Sequence, residues 1–239
     1  MTKYFGVFLA TLVSLVATQP ASAVTMFFDF GGADTSAASN YNDVMVHGAA
    51  MPIVLANTID SSGAGTGIGA SVSGFFNGAN FDGTQAPTGA ATMFATSATR
   101  DSAFTHTGFW GNPGVLNPLG QVVFTGLDNS SVYEFSIFGS RMGVGDNRET
   151  LYKAIGSNSG QAVLNTSNNV GNIATIAGIA PAAGTITLTV EKGPNNNNGT
   201  GFAYLGALRV VSSAAVPEPT TLGLAGLSAL GLAFRRRPA

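Results

Sequence analysis

The sequence predicts an all-β protein built as one antiparallel β-sandwich. Three observations lead there. Charge is scarce, at 9% of residues, while glycine is abundant, with 32 in 239 residues; few helix formers and many turn formers favour short strands. Several segments alternate apolar and polar residues at period two, the strand repeat. Runs of Gly, Asn, Asp and Ser separate those segments. About eight to ten short strands joined by long polar loops are expected, and an antiparallel sandwich is the architecture that buries them.

In chain order, residues 26–30 (Met-Phe-Phe-Asp-Phe) alternate and break at Gly31-Gly32, and a polar loop follows through Asp43. Residues 53–59 and 68–76 read as strands joined by an Asp/Ser/Gly hairpin loop. Those glycines do not form a phosphate-binding loop, because no Lys-Ser/Thr pair and no helix start follow. Residues 77–89 are turn-like, and 90–104 read as a loop with one helical turn near Asp101. The strongest alternation begins at Gln121: residues 121–124, a turn, then 132–140 with Tyr133, Phe135 and Ile137 on one face. After a loop at 141–148, residues 149–155 place Leu151, Lys153 and Ile155 together. In 185–190, Ile186, Leu188 and Val190 point inward and Thr185, Thr187 and Thr189 outward. An asparagine-rich loop, 193–201, precedes the closing strand, 202–211.

Both termini fall outside this body. Lys3, the mostly apolar residues 4–17 and Ala21-Ser22-Ala23 make a secretory signal peptide, with Ala21 and Ala23 as the small residues of a cleavage site after Ala23. Residues 24–215 are the sandwich body. Residues 216–239 contain a stiff Pro-x-Pro, an apolar segment and three arginines. Pro217 and Pro219 fix φ and keep the backbone extended. Residues 220–234 make a short C-terminal transmembrane helix of roughly 22 Å against a hydrocarbon core of about 30 Å. Arg235, Arg236 and Arg237 stay on the cytoplasmic face, and their snorkelling stems lengthen the span. Such a weak anchor suits a transient inner-membrane stage.

The tail resembles the PEP-CTERM sorting signal of Gram-negative bacteria, with Pro217, Glu218 and Pro219 as its tripeptide. The resemblance implies export through a secretion translocon and handover to an exosortase. That membrane protease would cut near the tripeptide and release or re-anchor the protein at the cell surface or in the extracellular matrix. Thr125-Gly126-Leu127, the segment from Tyr133 to Arg141, Asp146-Asn147-Arg148-Glu149-Thr150 and Tyr204-Leu205-Gly206-Ala207-Leu208 together resemble a jelly-roll module of bacterial surface proteins. That module is distantly similar to galactose-binding-like, carbohydrate-binding domains.

Composition narrows the chemistry. Setting aside Lys3, the terminal arginines and Glu218 leaves six basic and eleven acidic residues in the body; this acidic balance disfavours nucleic acid. Cysteine is absent, so an exported fold rests on its core alone. Arg141, Asp146, Asn147, Arg148 and Glu149 concentrate charge in one loop. They read as a polar ligand site on the rim, donating to and accepting from sugar hydroxyls, or as a hairpin loop pinned by its own ion pairs, the preferred reading. Calcium is a third reading, since Asp and Asn oxygens suit a hard cation, although no Asp-x-Asp-x-Asp ladder is present. Trp110, in a Gly/Asn/Pro loop, either stacks on a sugar or plugs one end of the core, the latter being preferred.

Catalysis finds little footing. His47 and His106 lack a second ligand at metal-binding spacing, and residues 156–160 lack the spacing of a nucleophile elbow. The expectation is a non-enzymatic, exported protein that associates with exopolysaccharide and needs no cofactor. A specific carbohydrate-binding module and a secreted esterase or glycan hydrolase are the alternatives.

Overall fold

A computed structural model describes residues 23–32, 40–108 and 116–214. Their secondary structure is nearly all β, in thirteen strands: β1 (Thr25–Gly31), β2 (Asn42–Met45), β3 (Ile53–Leu55), β4 (Gly69–Ser73), β5 (Ala103–Thr105), β6 (Leu119–Thr125), β7 (Ser131–Phe138), β8 (Glu149–Ile155), β9 (Ser159–Asn165), β10 (Ala174–Ile179), β11 (Ile186–Lys192), β12 (Ala203–Leu205) and β13 (Ala207–Ala214). A 3-10 turn, Gly89–Met93, and one helical turn, α1 (Thr96–Thr99), lie between β4 and β5.

The strands form a five-stranded sheet, β10-β7-β13-β1-β2, a six-stranded sheet, β3-β4-β6-β11-β8-β9, and a two-stranded ribbon, β12-β5. Every pairing between these strands is antiparallel except β1 with β2. Inward residues at period two build the core between the two large sheets. Met26, Phe28 and Phe30 of β1, with Tyr133, Phe135 and Ile137 of β7, meet Val122 and Phe124 of β6 and Ile186, Leu188 and Val190 of β11. Phe124 packs on Phe28 at 5.5 Å and on Phe135 at 5.9 Å between ring centroids. Burying side chains of this size is worth about 1.5–3 kcal/mol each, so a disulfide-free body is sustainable.

The five-stranded sheet also buries part of its other face. Phe27, Phe138 and Ala207, out of phase with the core residues, pack under Tyr41, Ala91, Phe94 and Ala98. The 3-10 turn and α1 therefore act as a cover on this sheet.

The helical turn expected near Asp101 is present as α1, which ends at Thr99. Other local expectations are corrected. The polar loop expected through Asp43 already enters β2 at Asn42, and β2 joins the sheet in parallel with β1. The strand from 202 divides at Gly206: β12 pairs with β5, while β13 enters the five-stranded sheet. A Cβ at Gly206 would lie 2.8 Å from the Asp101 carbonyl oxygen, so the change of sheet needs a residue without one. Leu151, Lys153 and Ile155 do share a face, the outer one; Tyr152 and Ala154 face the core. Thr189 is buried although it points outward, flanked in register by Gln121 and Lys153.

No helix among the described residues is long and apolar enough to cross a membrane. The expected C-terminal span, with Pro217, Glu218, Pro219, Arg235, Arg236 and Arg237, lies outside those residues, as does Ala21. Ala23 is exposed just ahead of β1.

Candidate functional site

The two-stranded ribbon carries the aromatic floor of a cleft of about 400 Å³, lined by Ala79, Asn80, Phe81, Asp82, Phe104, Arg141, Arg148, Phe202 and Tyr204. Its geometry follows from strand register. Tyr204 of β12 sits opposite Phe104 of β5, and Phe202 lies two residues before Tyr204, on the same face. The three rings form a cluster with centroids 5.6 Å (Phe104–Phe202), 6.1 Å (Phe202–Tyr204) and 6.2 Å (Phe104–Tyr204) apart. Phe81 adds an exposed ring at the lip, met edge-on by His47 at 5.4 Å.

Arg148 lies across this floor. Its guanidinium carbon is 5.4 Å from the Phe202 ring centroid and 5.9 Å from that of Tyr204, within cation–π range. Nη1 donates to the Tyr204 hydroxyl at 2.5 Å, and Nε donates to Asp146 Oδ1 at 2.9 Å. The Asn198 amide donates to the other Asp146 oxygen at 2.5 Å. Partial burial opposes ionisation of Asp146, but the hydrogen bonds from Arg148 and Asn198 and the arginine charge outweigh it and hold the carboxyl below its usual value. Burial pushes the Tyr204 hydroxyl upward against the pull of Arg148, so it stays protonated and able to donate.

Arg141 is held differently. Its Nη1 meets Asp82 Oδ2 at 2.6 Å, with the Arg141 and Asp82 side chains 27% and 66% exposed. An ion pair so open to water contributes about 0–1 kcal/mol and exchanges readily for another partner. The Arg148–Asp146 pair is much more covered, at 12% and 29%.

The expected charged loop is thus divided by the structure. Arg141 and Arg148 line the cleft, and Asp146 braces Arg148. Asn147 and Glu149 turn to the asparagine-rich loop: Glu149 Oε1 accepts from the Asn195 N–H at 2.9 Å, and the Asn147 N–H donates to Asn197 at 2.7 Å. The loop is further pinned by Ser167, whose hydroxyl donates to the Asp146 carbonyl at 2.6 Å, and by Asn168, which accepts from the Gly143 N–H at 2.8 Å. Trp110 lies outside the described residues. His106 is buried beside Phe76, with Nδ1 2.8 Å from the Gly108 carbonyl.

Sequence reasoning missed Phe81, Asp82, Phe104 and Tyr204 as cleft residues. Period-two spacing of Phe202 and Tyr204 was the available signal. The approach of Asp82 to Arg141 comes from tertiary structure alone.

What the cleft offers chemically is the exposed ring of Phe81 and the half-buried ring of Phe202, two guanidiniums each neutralised by a carboxylate, and the Asn80 amide, which is spent on Ser102 Oγ and the Ser140 carbonyl at 3.0 Å each. Among the described residues, no three His, Cys, Asp or Glu side chains are grouped to hold a metal.

Comparison with known families finds the PEP-CTERM protein-sorting motif at residues 215–237. The motif begins immediately after β13. It implies export, membrane-associated sorting in a Gram-negative bacterium and an exosortase as processing partner. No curated protein matches the sequence.

Proposed function

We propose that this sorted, exported protein is a non-enzymatic surface or matrix component whose body, a jelly roll of the galactose-binding-like kind, holds extracellular polysaccharide in the aromatic cleft. The observation that carries this reading is the pairing of exposed and buried rings with two charge-neutralised arginines in one 400 Å³ groove. Apolar ring faces match the C–H faces of a pyranose, and guanidinium N–H groups donate to its hydroxyls. Because each arginine already has its carboxylate, the groove suits neutral sugar units. Arg148 is a fixed wall, whereas Arg141 is free to exchange Asp82 for a ligand hydroxyl.

Affinity electrophoresis of the purified protein through gels containing neutral bacterial exopolysaccharides tests the reading. Retardation is expected, and it falls at least tenfold in Phe81→Ala and Arg141→Ala. Migration unchanged by any polysaccharide, or retardation unaffected by both substitutions, removes the cleft from the function. Mass spectrometry of the mature protein tests the processing step: a product ending near the Pro217–Pro219 tripeptide is expected, and an intact Ala239 terminus overturns it.

A further inference from the structure

A second site lies at the end of β1, on the outer face of the five-stranded sheet. The parallel register of β1 and β2 places Asp29 opposite Asp43. Phe28 and Phe30 face the core, so Asp29 points the other way, and Asp43 shares its face. Like charges directly opposite on one face repel. Asp101 approaches from beyond Gly31 and accepts the Gly32 N–H at 2.6 Å. Any Cβ at Gly31 would fall 1.8 Å from the Asp101 carboxylate; glycine is what lets this third acid in.

Asp29 is 4% exposed and Asp101 1% exposed. Both Asp29 oxygens are buried without a hydrogen-bond partner. A buried, unpaired carboxylate is among the costliest arrangements in a protein interior. Beside it, Asp29, Gly31, Gly32, Asp43, Val44 and Met45 line a crevice of about 10 Å³, room for one water-sized sphere. The geometry points to a single hard divalent cation, calcium or magnesium, held in this crevice by the carboxylates of Asp29 and Asp43.

The donor set fits that class. Two carboxylates with water completing the shell is a coordination that oxygen-seeking cations accept, and Asp101 supplies a further negative field. The site binds β2, an edge strand, to β1, and so secures the border of the sheet.

The test uses the full-length protein, purified in detergent and stripped with EDTA. Calorimetric titration with calcium chloride, and separately with magnesium chloride, is expected to show one site per chain. Its dissociation constant should fall in the range of about 10⁻⁴–10⁻³ M typical of extracellular modules, and saturation should raise the thermal midpoint. Asp29→Asn and Asp43→Asn should each weaken binding at least tenfold and abolish the thermal shift. Should Asp29→Asn fail to fold, Asp43→Asn, at a half-buried position on the edge strand, decides the matter. Absence of both heat and thermal shift with either cation, or binding unaltered in Asp43→Asn, overturns the proposal. It stands apart from the polysaccharide reading, since neither result moves retardation by the cleft.

Discussion

In the aromatic cleft, Asp146 receives a guanidinium at 2.9 Å and an amide at 2.5 Å. In the crevice, Asp29 is more deeply buried and receives neither. The same side chain is thus held below its ordinary carboxyl value in one place and far above it in the other. Burial raises both; what differs is the partner that the fold brings to each. Arg148 answers the charge of Asp146, whereas the groups nearest Asp29 that act on its charge, Asp101 and Asp43, add to it.

The largest expected effect separates these two environments by pH. In chelator, Asp29 holds its proton up to about pH 8 when folded but only to about 4 when unfolded. The folded state therefore binds more protons between those values, and stability falls as pH rises from about 4 to 8, then levels. A shift from 3.8 to about 8 sets an upper bound of about 6 kcal/mol on that loss. Asp43 and Asp101 face the same carboxyl, and their repulsion grows over the same interval. Urea denaturation at pH 5 and pH 8.5 measures the loss, and Asp29→Asn should flatten it. Stability unchanged between those pH values would erase the contrast.

Arg148→Ala comes next. It strands Asp146 and the Tyr204 hydroxyl in a covered site, and a loss of about 3 kcal/mol is expected from the urea midpoint. Arg148→Lys keeps the charge but not the fork and should recover only part of it. A loss below about 1 kcal/mol would class the pair with ordinary surface ion pairs. Asp82→Asn is the smallest effect. Its partner Arg141 stays solvated, so stability should change by no more than about 0.5 kcal/mol, while polysaccharide retardation is retained or strengthened. Lost retardation would make Asp82 itself a sugar ligand.

The sandwich was legible wherever alternation was strong and residues large. β7 and β11 declare themselves through Tyr133, Phe135 and Ile137, and through Ile186, Leu188 and Val190. β9 and β10 did not, for a physical reason. β9 is an edge strand whose only buried residue is Leu164, and the alternation of β10 is broken by a register shift between its buried residues Ile176 and Ile179. β5 has three residues, all buried, and so shows no period at all. For the cleft, the charged loop stood out because charge is rare, and it yielded Arg141 and Arg148. Their distant partners did not, since Asp82 and Tyr204 reach the loop only through the packing of segments far apart in sequence. The acidic crevice was hidden for a related reason: Asp29 sat in an apparently ordinary strand, Asp43 reaches it through a parallel pairing that alternation cannot foretell, and Asp101 approaches from a segment distant in sequence.

β13 lies between β7 and β1, with eight and five residue pairs on its two sides, and the sorting motif follows it directly. The last strand of the body is therefore what joins its first strand to β7. A pull on the tail directed along β13 would have to shear both ladders at once rather than peel them one rung at a time.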